Sequence, residues 1–119
     1  MLYKRTWCMS ERSAELLLQD IMEAGRNIKS YVSAMTYDDF VNDAKTRDAV
    51  VRNFEIIGEA AGNLPEDFIS AHPAVDWRRI KGFRNRLVHG YFGVDYTIVW
   101  NVISGYLDSF LATIEAMRT

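Results

Sequence analysis

Residues 82–93, with the sequence GFRNRLVHGYFG, bring together four side chains that are able to act on a phosphate: Arg84, Asn85, His89 and Tyr91. On a helix Asn85 and His89 are four residues apart and share a face, so the amide is placed to orient the imidazole. Arg84 and His89 lie about 140° apart around an ideal helix, so spacing alone does not bring them to one ligand. They need the length of the arginine, the end of the helix or a second subunit to meet at one phosphate.

Arginine and histidine without a metal suit the cleavage of RNA, in which the ribose 2′-OH is the internal nucleophile. The histidine moves a proton, and the arginine binds the phosphate and stabilises the charge that develops on its oxygens. Tyr91 is placed to hydrogen-bond the phosphate or to stack on a base. Because the R-x4-H spacing is common by chance, it is by itself only a weak indication of this chemistry.

The same segment is strongly basic. Five cations with no acid between them lie at Arg78, Arg79, Lys81, Arg84 and Arg86. A solvated helix face is the ordinary explanation, and a phosphate-binding surface is the functional one. Arg84 favours the second, because it follows a phenylalanine that is expected to be buried. An unpaired arginine at the edge of a buried stripe is costly, and it favours an anionic or carboxylate partner.

The composition describes the protein around this segment. The chain has 119 residues, 49% of them hydrophobic, and a net charge of −2, which predicts one packed domain in which any site for a polyanion is local. The single cysteine, Cys8, excludes an internal disulfide and a thiolate zinc site and is typical of a reducing compartment. With no membrane-length apolar run and no signal peptide, a cytoplasmic protein is expected. His72 is the only other histidine, so no metal and no other cofactor is predicted.

Helical periodicity covers the chain from Ser10, and no segment alternates as a strand does. Long helices are predicted at about 10–34, 43–62, 76–90 and 95–118, and short ones near 36–41 and 65–71. The fold class is therefore all-α, an antiparallel four-helix-type bundle with one or two short extra helices. Residues 1–8 show no helical pattern, so a flexible N-terminal extension is expected at residues 1–9, before a single domain at 10–119.

Capping residues predict where these helices begin and end. N-caps are expected at Ser10, Asp76 and Asp95, a capping box at Thr36 and Asp39, and a C-terminal glycine at Gly90. The helix that carries the motif should turn five side chains inward: Trp77, Ile80, Phe83, Leu87 and Val88. The last helix has a wide apolar face, which fits a second subunit and a thick core equally well.

Three segments resemble a known family. RNRLVHGY at 84–91 is similar to the R-x4-H-x-Y motif of the HEPN superfamily, with the asparagine that follows the arginine in many members. RNFEIIGEAAGNLPEDF at 52–68 and VDWRRIKGFRNRLVHGYFGVDYTIVW at 75–100 resemble the HepT-type toxin branch. The likeness runs from about Ser10 to Met117, and the segments match in order.

The resemblance implies a helical domain that forms a homodimer and places two motifs in a shared cleft. It implies a metal-independent ribonuclease toxin of a type VII-like toxin–antitoxin system, with tRNA as one candidate substrate. Arg84 and His89 are then catalytic and Asn85 is their polar neighbour. The implied partner is a minimal nucleotidyltransferase antitoxin, and the implied site of inhibitory AMPylation is Tyr91.

The glutamate of IGEA is a second candidate for the site. Glu59 either pairs with Arg84 or His89 across the bundle or faces solvent, and the two interpretations carry equal weight. In the first case, Gly58 would be there for close helix packing.

Two other functions compete with the ribonuclease. One is a non-catalytic HEPN module that docks a nucleotidyltransferase or binds a nucleotide through the basic cleft. The retained His89 and Tyr91 favour the enzyme over this module, because a pure binder has no need of the histidine. The other is a structural bundle with a basic face, which would require the segment from Arg84 to Tyr91 to be buried and ion-paired within one subunit.

Overall fold

The computed structural model describes residues 2–89 and 93–118, with side chains from Ala14 onward. Within these residues the chain is helical and contains no strand, which confirms the predicted fold class. The helices are α1 Leu2–Tyr31, α2 Tyr37–Val41, α3 Ala44–Gly62, α4 Glu66–Ala71, α5 Trp77–His89, α6 Tyr96–Gly105 and α7 Leu107–Met117. No helix in the described part of the chain is both long and apolar enough to span a membrane.

Short polar side chains begin most of these helices, as their sequence positions predict. Thr36 and Asp39 form a reciprocal capping box at α2. Asp76 accepts a hydrogen bond of 3.1 Å from the backbone N–H of Arg79 at α5, and Asp95 accepts one of 3.0 Å from that of Thr97 at α6. These bonds satisfy amides that have no carbonyl partner in the first turn, so the two ends of the motif region are set by local chemistry.

The structure corrects the prediction in two places. The first helix begins at Leu2 and not at Ser10, and it ends at Tyr31 before a turn in which Ala34 has a φ of 64°. No glycine or proline lies between Leu2 and Ser10 to stop the helix, so it continues through this segment. The flexibility expected of residues 1–9 stays a prediction.

The second correction concerns the last predicted helix, which is two helices. Tyr106, with a φ of −133°, lies between α6 and α7. It directly follows Gly105, a residue of low helix propensity, which is a natural point for the break. The helix resumes at once, because the N–H of Phe110 donates to the carbonyl of Tyr106 at 3.0 Å.

Helix α3 lies at the centre of the bundle and packs against α1 on one side and α5 on the other, while α7 packs against α1. The largest fully buried side chains come from the short helix α2 and from every long helix except α5. They are Leu18, Ile21, Ile28, Phe40, Val50, Val99, Leu107 and Ile114. Each contributes about 1.5–3 kcal/mol of transfer free energy to the folded state. The core therefore anchors α3, and α3 supports the motif helix.

Helix α5 rests on α3 by a narrow stripe. Ile80 and Leu87 are buried, and Phe83 packs edge to face on Phe54 of α3, with ring centroids 5.2 Å apart. Val88, which was expected inside, is 43% exposed. The reason is geometric, because Val88 lies about 100° from Leu87 around the helix and so falls outside the stripe.

Candidate active site

Arg84 lies at the edge of the contact between α5 and α3. Its side chain is half-buried, and the first carbons of the side chain lie directly against Gly58. The Nε atom is buried and has no hydrogen-bond partner, while Nη1 donates to Oδ1 of Asn85 at 3.4 Å. The prediction that Arg84 borders the buried stripe is confirmed. The guanidinium is thus a cation with unused donors, held in place by its stem.

His89 is the last residue of α5, and its side chain is exposed. Within the described residues no hydrogen bond joins His89 to Asn85 or Arg84. The predicted role of Asn85 in orienting the imidazole is not seen, because the amide oxygen is engaged by the neighbouring guanidinium instead.

Four more cations surround this region on α5. Arg78, Arg79, Lys81 and Arg86 are all exposed, and in the described part of the chain none of them pairs with an acid. Glu59 is also exposed and makes no ion pair among the residues described. It faces solvent in the single chain, so the basic charge of α5 is not neutralised from within.

An apolar groove with a volume of about 830 Å³ lies beside α5, between that helix and α6 and α7. Phe54, Ile57 and Phe110 contribute to its apolar lining, and Arg79 and Arg86 are its cations. Sequence reasoning missed this groove. The available signal was a pair of helix glycines with no turn to make, Gly82 and Gly105, both of which line it.

Tyr106, at the break between α6 and α7, also lines the groove. Burial raises the pKa of its phenol, and the nearby carboxylate of Asp76 raises it further, whereas Arg79 lowers it. The hydroxyl is therefore protonated at neutral pH, and it adds a neutral hydrogen-bonding group to the lining.

The other sequence candidates lie away from this region or outside the described residues. Gly90 and Tyr91 fall in the segment 90–92, which is not described, so their placement stays a prediction. His72 donates through Nδ1 to the carbonyl of Phe68 at 2.8 Å and stacks on its ring. No cluster of three or more histidine, cysteine, aspartate or glutamate side chains suited to a metal occurs in the described part of the chain.

Comparison with known proteins decides the family of this site. The family model described as Ribonuclease HepT-like matches residues 21–117, which include α3, α5 and all of the motif region. The chain belongs to the ribonuclease HepT-like family. The resemblance of the R-x4-H-x-Y segment to the HEPN superfamily is therefore confirmed, and the HepT-like match extends from α1 to α7.

Two relatives are similar over almost the whole chain. A Methanocaldococcus jannaschii protein named "Putative RNase" is 39% identical over 107 residues, 90% of this chain and 88% of the relative. A Thermococcus cleftensis protein named "Probable ribonuclease HepT" is 39% identical over 108 residues, 91% of this chain and 98% of the relative. No solved structure matches the chain.

Proposed function

We propose that this member of the HepT-like family is a metal-independent endoribonuclease that acts in the cytoplasm as the toxin of a type VII-like toxin–antitoxin pair. The observation that carries the proposal is the state of Arg84, whose buried Nε has no partner and whose stem is held against α3. The guanidinium also has Nη donors without an acceptor among the described residues, and an RNA phosphate would supply acceptors for them. The names of the two relatives support RNA as the substrate.

In the proposed reaction the 2′-OH oxygen of a ribose attacks the adjacent phosphorus, and His89 accepts the hydroxyl proton as general base. The bond from phosphorus to the 5′ oxygen breaks, which leaves a 2′,3′-cyclic phosphate and a 5′-hydroxyl end. Arg84 donates to the non-bridging oxygens and stabilises the charge that develops on them. The exposed Arg78, Arg79, Lys81 and Arg86 bind flanking phosphates of the chain.

We propose that the site is completed by a second copy of the chain. Arg84 is packed against α3, whereas His89 is at the exposed end of α5, and no hydrogen bond joins them within the described residues. In a homodimer, the arginine of one subunit and the histidine of the other share one phosphate. A second His89 then gives its proton to the leaving 5′ oxygen. Glu59, exposed on α3, is available to support either residue from the same cleft.

The catalytic assignment is tested with Arg84→Ala and His89→Ala, each assayed on total RNA and on tRNA in the presence of a chelator. Each variant should lose at least about 100-fold in cleavage, because general acid–base catalysis and transition-state charge stabilisation each contribute that much or more. Arg52→Ala removes an exposed arginine from α3 and serves as the control for a general loss of positive charge. Full cleavage by both site variants would contradict the proposal.

The proposed partner is a minimal nucleotidyltransferase antitoxin that transfers AMP to Tyr91. An adduct two residues beyond His89 adds bulk and negative charge beside the arginines, and so it blocks RNA by occlusion and repulsion. The test is the intact mass of the protein after co-expression with the transferase, with peptide mapping. Mass increments of AMP on Tyr91, absent from the Tyr91→Phe variant, are expected. An unmodified and yet inactive toxin would point to neutralisation by contact alone.

The non-catalytic module remains the second candidate, because no hydrogen bond links Arg84 to His89 within the described residues. It is distinguished by a binding assay beside the cleavage assay. A module of this kind would bind the nucleotidyltransferase or a nucleotide through α5 and leave RNA intact, and His89→Ala would not change its affinity.

A further inference from the structure

Helices α3 and α5 lie in close contact where Gly58 faces Arg84. A Cβ atom added to Gly58 would overlap the Cβ and Cγ atoms of Arg84, and it would lie 3.5 Å from Cδ. The distances from the added Cβ to both of these atoms would be shorter than 3.0 Å, and real Cβ atoms essentially never come that close to another heavy atom. Because Cβ is fixed by the backbone, rotation of the arginine side chain cannot remove the clash. A methyl group at position 58 can be accommodated only if α5 moves away from α3.

The other helix glycines show that this contact is specific. Gly62, Gly82 and Gly105 have no atom within 4 Å of an added Cβ. Gly25 would meet Leu111, but the atoms concerned are at the far end of that flexible side chain. Among the glycines within the described helices, Gly58 alone faces the stem of a residue assigned to the site.

The clash bears on function because of how the tip of Arg84 is held. The guanidinium makes one weak bond, of 3.4 Å from Nη1 to Asn85, and its buried Nε makes none. Polar contacts therefore do little to fix its direction, and the packed stem must do so. The missing side chain at position 58 creates the channel in which this stem lies.

We propose that Gly58 is a positioning residue for Arg84, and that it acts by letting the arginine stem lie flat on α3 so that the guanidinium is held towards the phosphate. The inference rests on the proposed function, since it gives Arg84 a phosphate to bind. Displacement of a catalytic group by about 1 Å is enough to lower a rate by about 100-fold. A single methyl group, remote from the RNA, should thus act like loss of the arginine.

The test compares Gly58→Ala with Gly62→Ala, a matched substitution in the same helix where the added methyl group meets nothing. Cleavage by Gly58→Ala should fall by about 100-fold, while Gly62→Ala should remain as active as the native protein. Affinity for a 2′-O-methyl RNA, which cannot be cleaved, is then measured against salt concentration. Loss of one phosphate contact lowers the slope of log affinity against log salt by about 0.7 for each Arg84 involved.

This slope separates positioning from simple destabilisation, because a folded protein with a lower melting temperature keeps its phosphate contacts. Gly58→Ala and Arg84→Ala should lose the same slope, and the double variant should lose no more than either. A native slope and native cleavage in Gly58→Ala would overturn the inference. Native cleavage in Arg84→Ala would instead overturn the proposed function, whatever Gly58→Ala does.

If Gly58→Ala is too unstable to assay at the temperature of the cleavage reaction, the contact is tested by thermal unfolding with and without Arg84→Gly. With no Cβ at position 84, the added methyl group has nothing to overlap, so Gly58→Ala should no longer lower the midpoint. An equal loss of midpoint in both backgrounds would show that Gly58 contacts something other than Arg84, and would overturn the inference.

Discussion

At the scale of single residues, the site depends on how one cation is left available. Among the described residues, the guanidinium of Arg84 forms no ion pair, and its one hydrogen bond is to the neutral amide oxygen of Asn85. A neutral amide holds the guanidinium loosely without neutralising it, so the full charge remains for a phosphate. The asparagine beside the arginine is thus best explained as a partner of Arg84 and not of His89.

This explanation predicts losses of different size for two substitutions at position 85. Asn85→Ala removes a long hydrogen bond and should lower RNA cleavage by about tenfold or less. Asn85→Asp replaces the amide with a carboxylate that pairs with Arg84 and repels the substrate, so it should lower cleavage further. Initial rates on one RNA substrate provide the comparison. If Asn85→Asp were as active as the native protein, the amide would have no part in keeping Arg84 available.

At the scale of elements, short capping side chains hold the helices that carry the site. Asp43, which begins α3, accepts hydrogen bonds from the backbone N–H and the hydroxyl of Thr46 at 3.1 and 2.9 Å. These bonds hold the pKa of the Asp43 carboxyl below its usual value. Since α3 supports Arg84 through Gly58, the start of this helix matters for the site as well as for the bundle.

The lowered pKa predicts a pH dependence of stability. A carboxyl whose pKa is lower in the folded than in the unfolded protein stabilises the fold above its unfolded pKa, and it loses that contribution as pH falls through the folded pKa. Asp43→Asn keeps a good N-cap but cannot titrate. The native protein should be the more stable of the two at pH 7, and the difference should shrink as pH falls below about 4.

Thermal midpoints measured between pH 2 and 7 would check this, with Asp48→Asn, an exposed substitution in the same helix, as the control. The difference in midpoint between Asp48→Asn and the native protein should stay constant over the pH range in which the midpoint of Asp43→Asn approaches that of the native protein. A difference between native and Asp43→Asn that stayed constant with pH would show that the cap does not depend on the charge.

At the scale of the whole molecule, the apolar groove beside α5 is the surface on which we expect the second subunit to pack. Helix α5 forms one wall of the groove and also carries Arg84 and His89, so a copy docked there lies next to the motif. Val102, which belongs to the wide apolar face predicted for the last helix, lines the same groove, and so does Ile98; both remain half-exposed. Cover by a second copy would remove this surface from water.

A charge placed in the groove should therefore weaken association. Gly105 lines the groove, is exposed, and has room for a side chain, so Gly105→Arg adds a third cation beside Arg79 and Arg86. A long charged side chain at this point would hold the two apolar surfaces apart. If the native protein forms the proposed dimer, the variant should remain monomeric at concentrations where the native protein associates. Sedimentation equilibrium measures this, with Gly62→Arg at an exposed position outside the groove as the control. Equal association of both variants would place the interface elsewhere.

The sequence by itself determined the helices, most of their starts and the identity of the motif. Capping by Asp76 and Asp95 and the stripe of Ile80 and Leu87 depend on neighbours within a few residues, so local patterns contain the information. The break at Tyr106 was not predicted, because a single glycine in a long apolar helical pattern is a weak signal. Where the local signal was weak, as at Ser10, the prediction of a helix start was wrong. The R-x4-H-x-Y segment was recognisable because its residues are close together in the chain.

Only the tertiary structure decided how that motif is presented. It showed that Gly58 lies under the stem of Arg84, that Asn85 bonds the arginine, and that Val88 is exposed. It also showed the groove between α5 and the last two helices. Each of these depends on how the bundle packs, either through side chains tens of residues apart or through the exact rotation of α5 on α3. The energy of such contacts comes from close packing, which a periodic pattern in one helix does not specify.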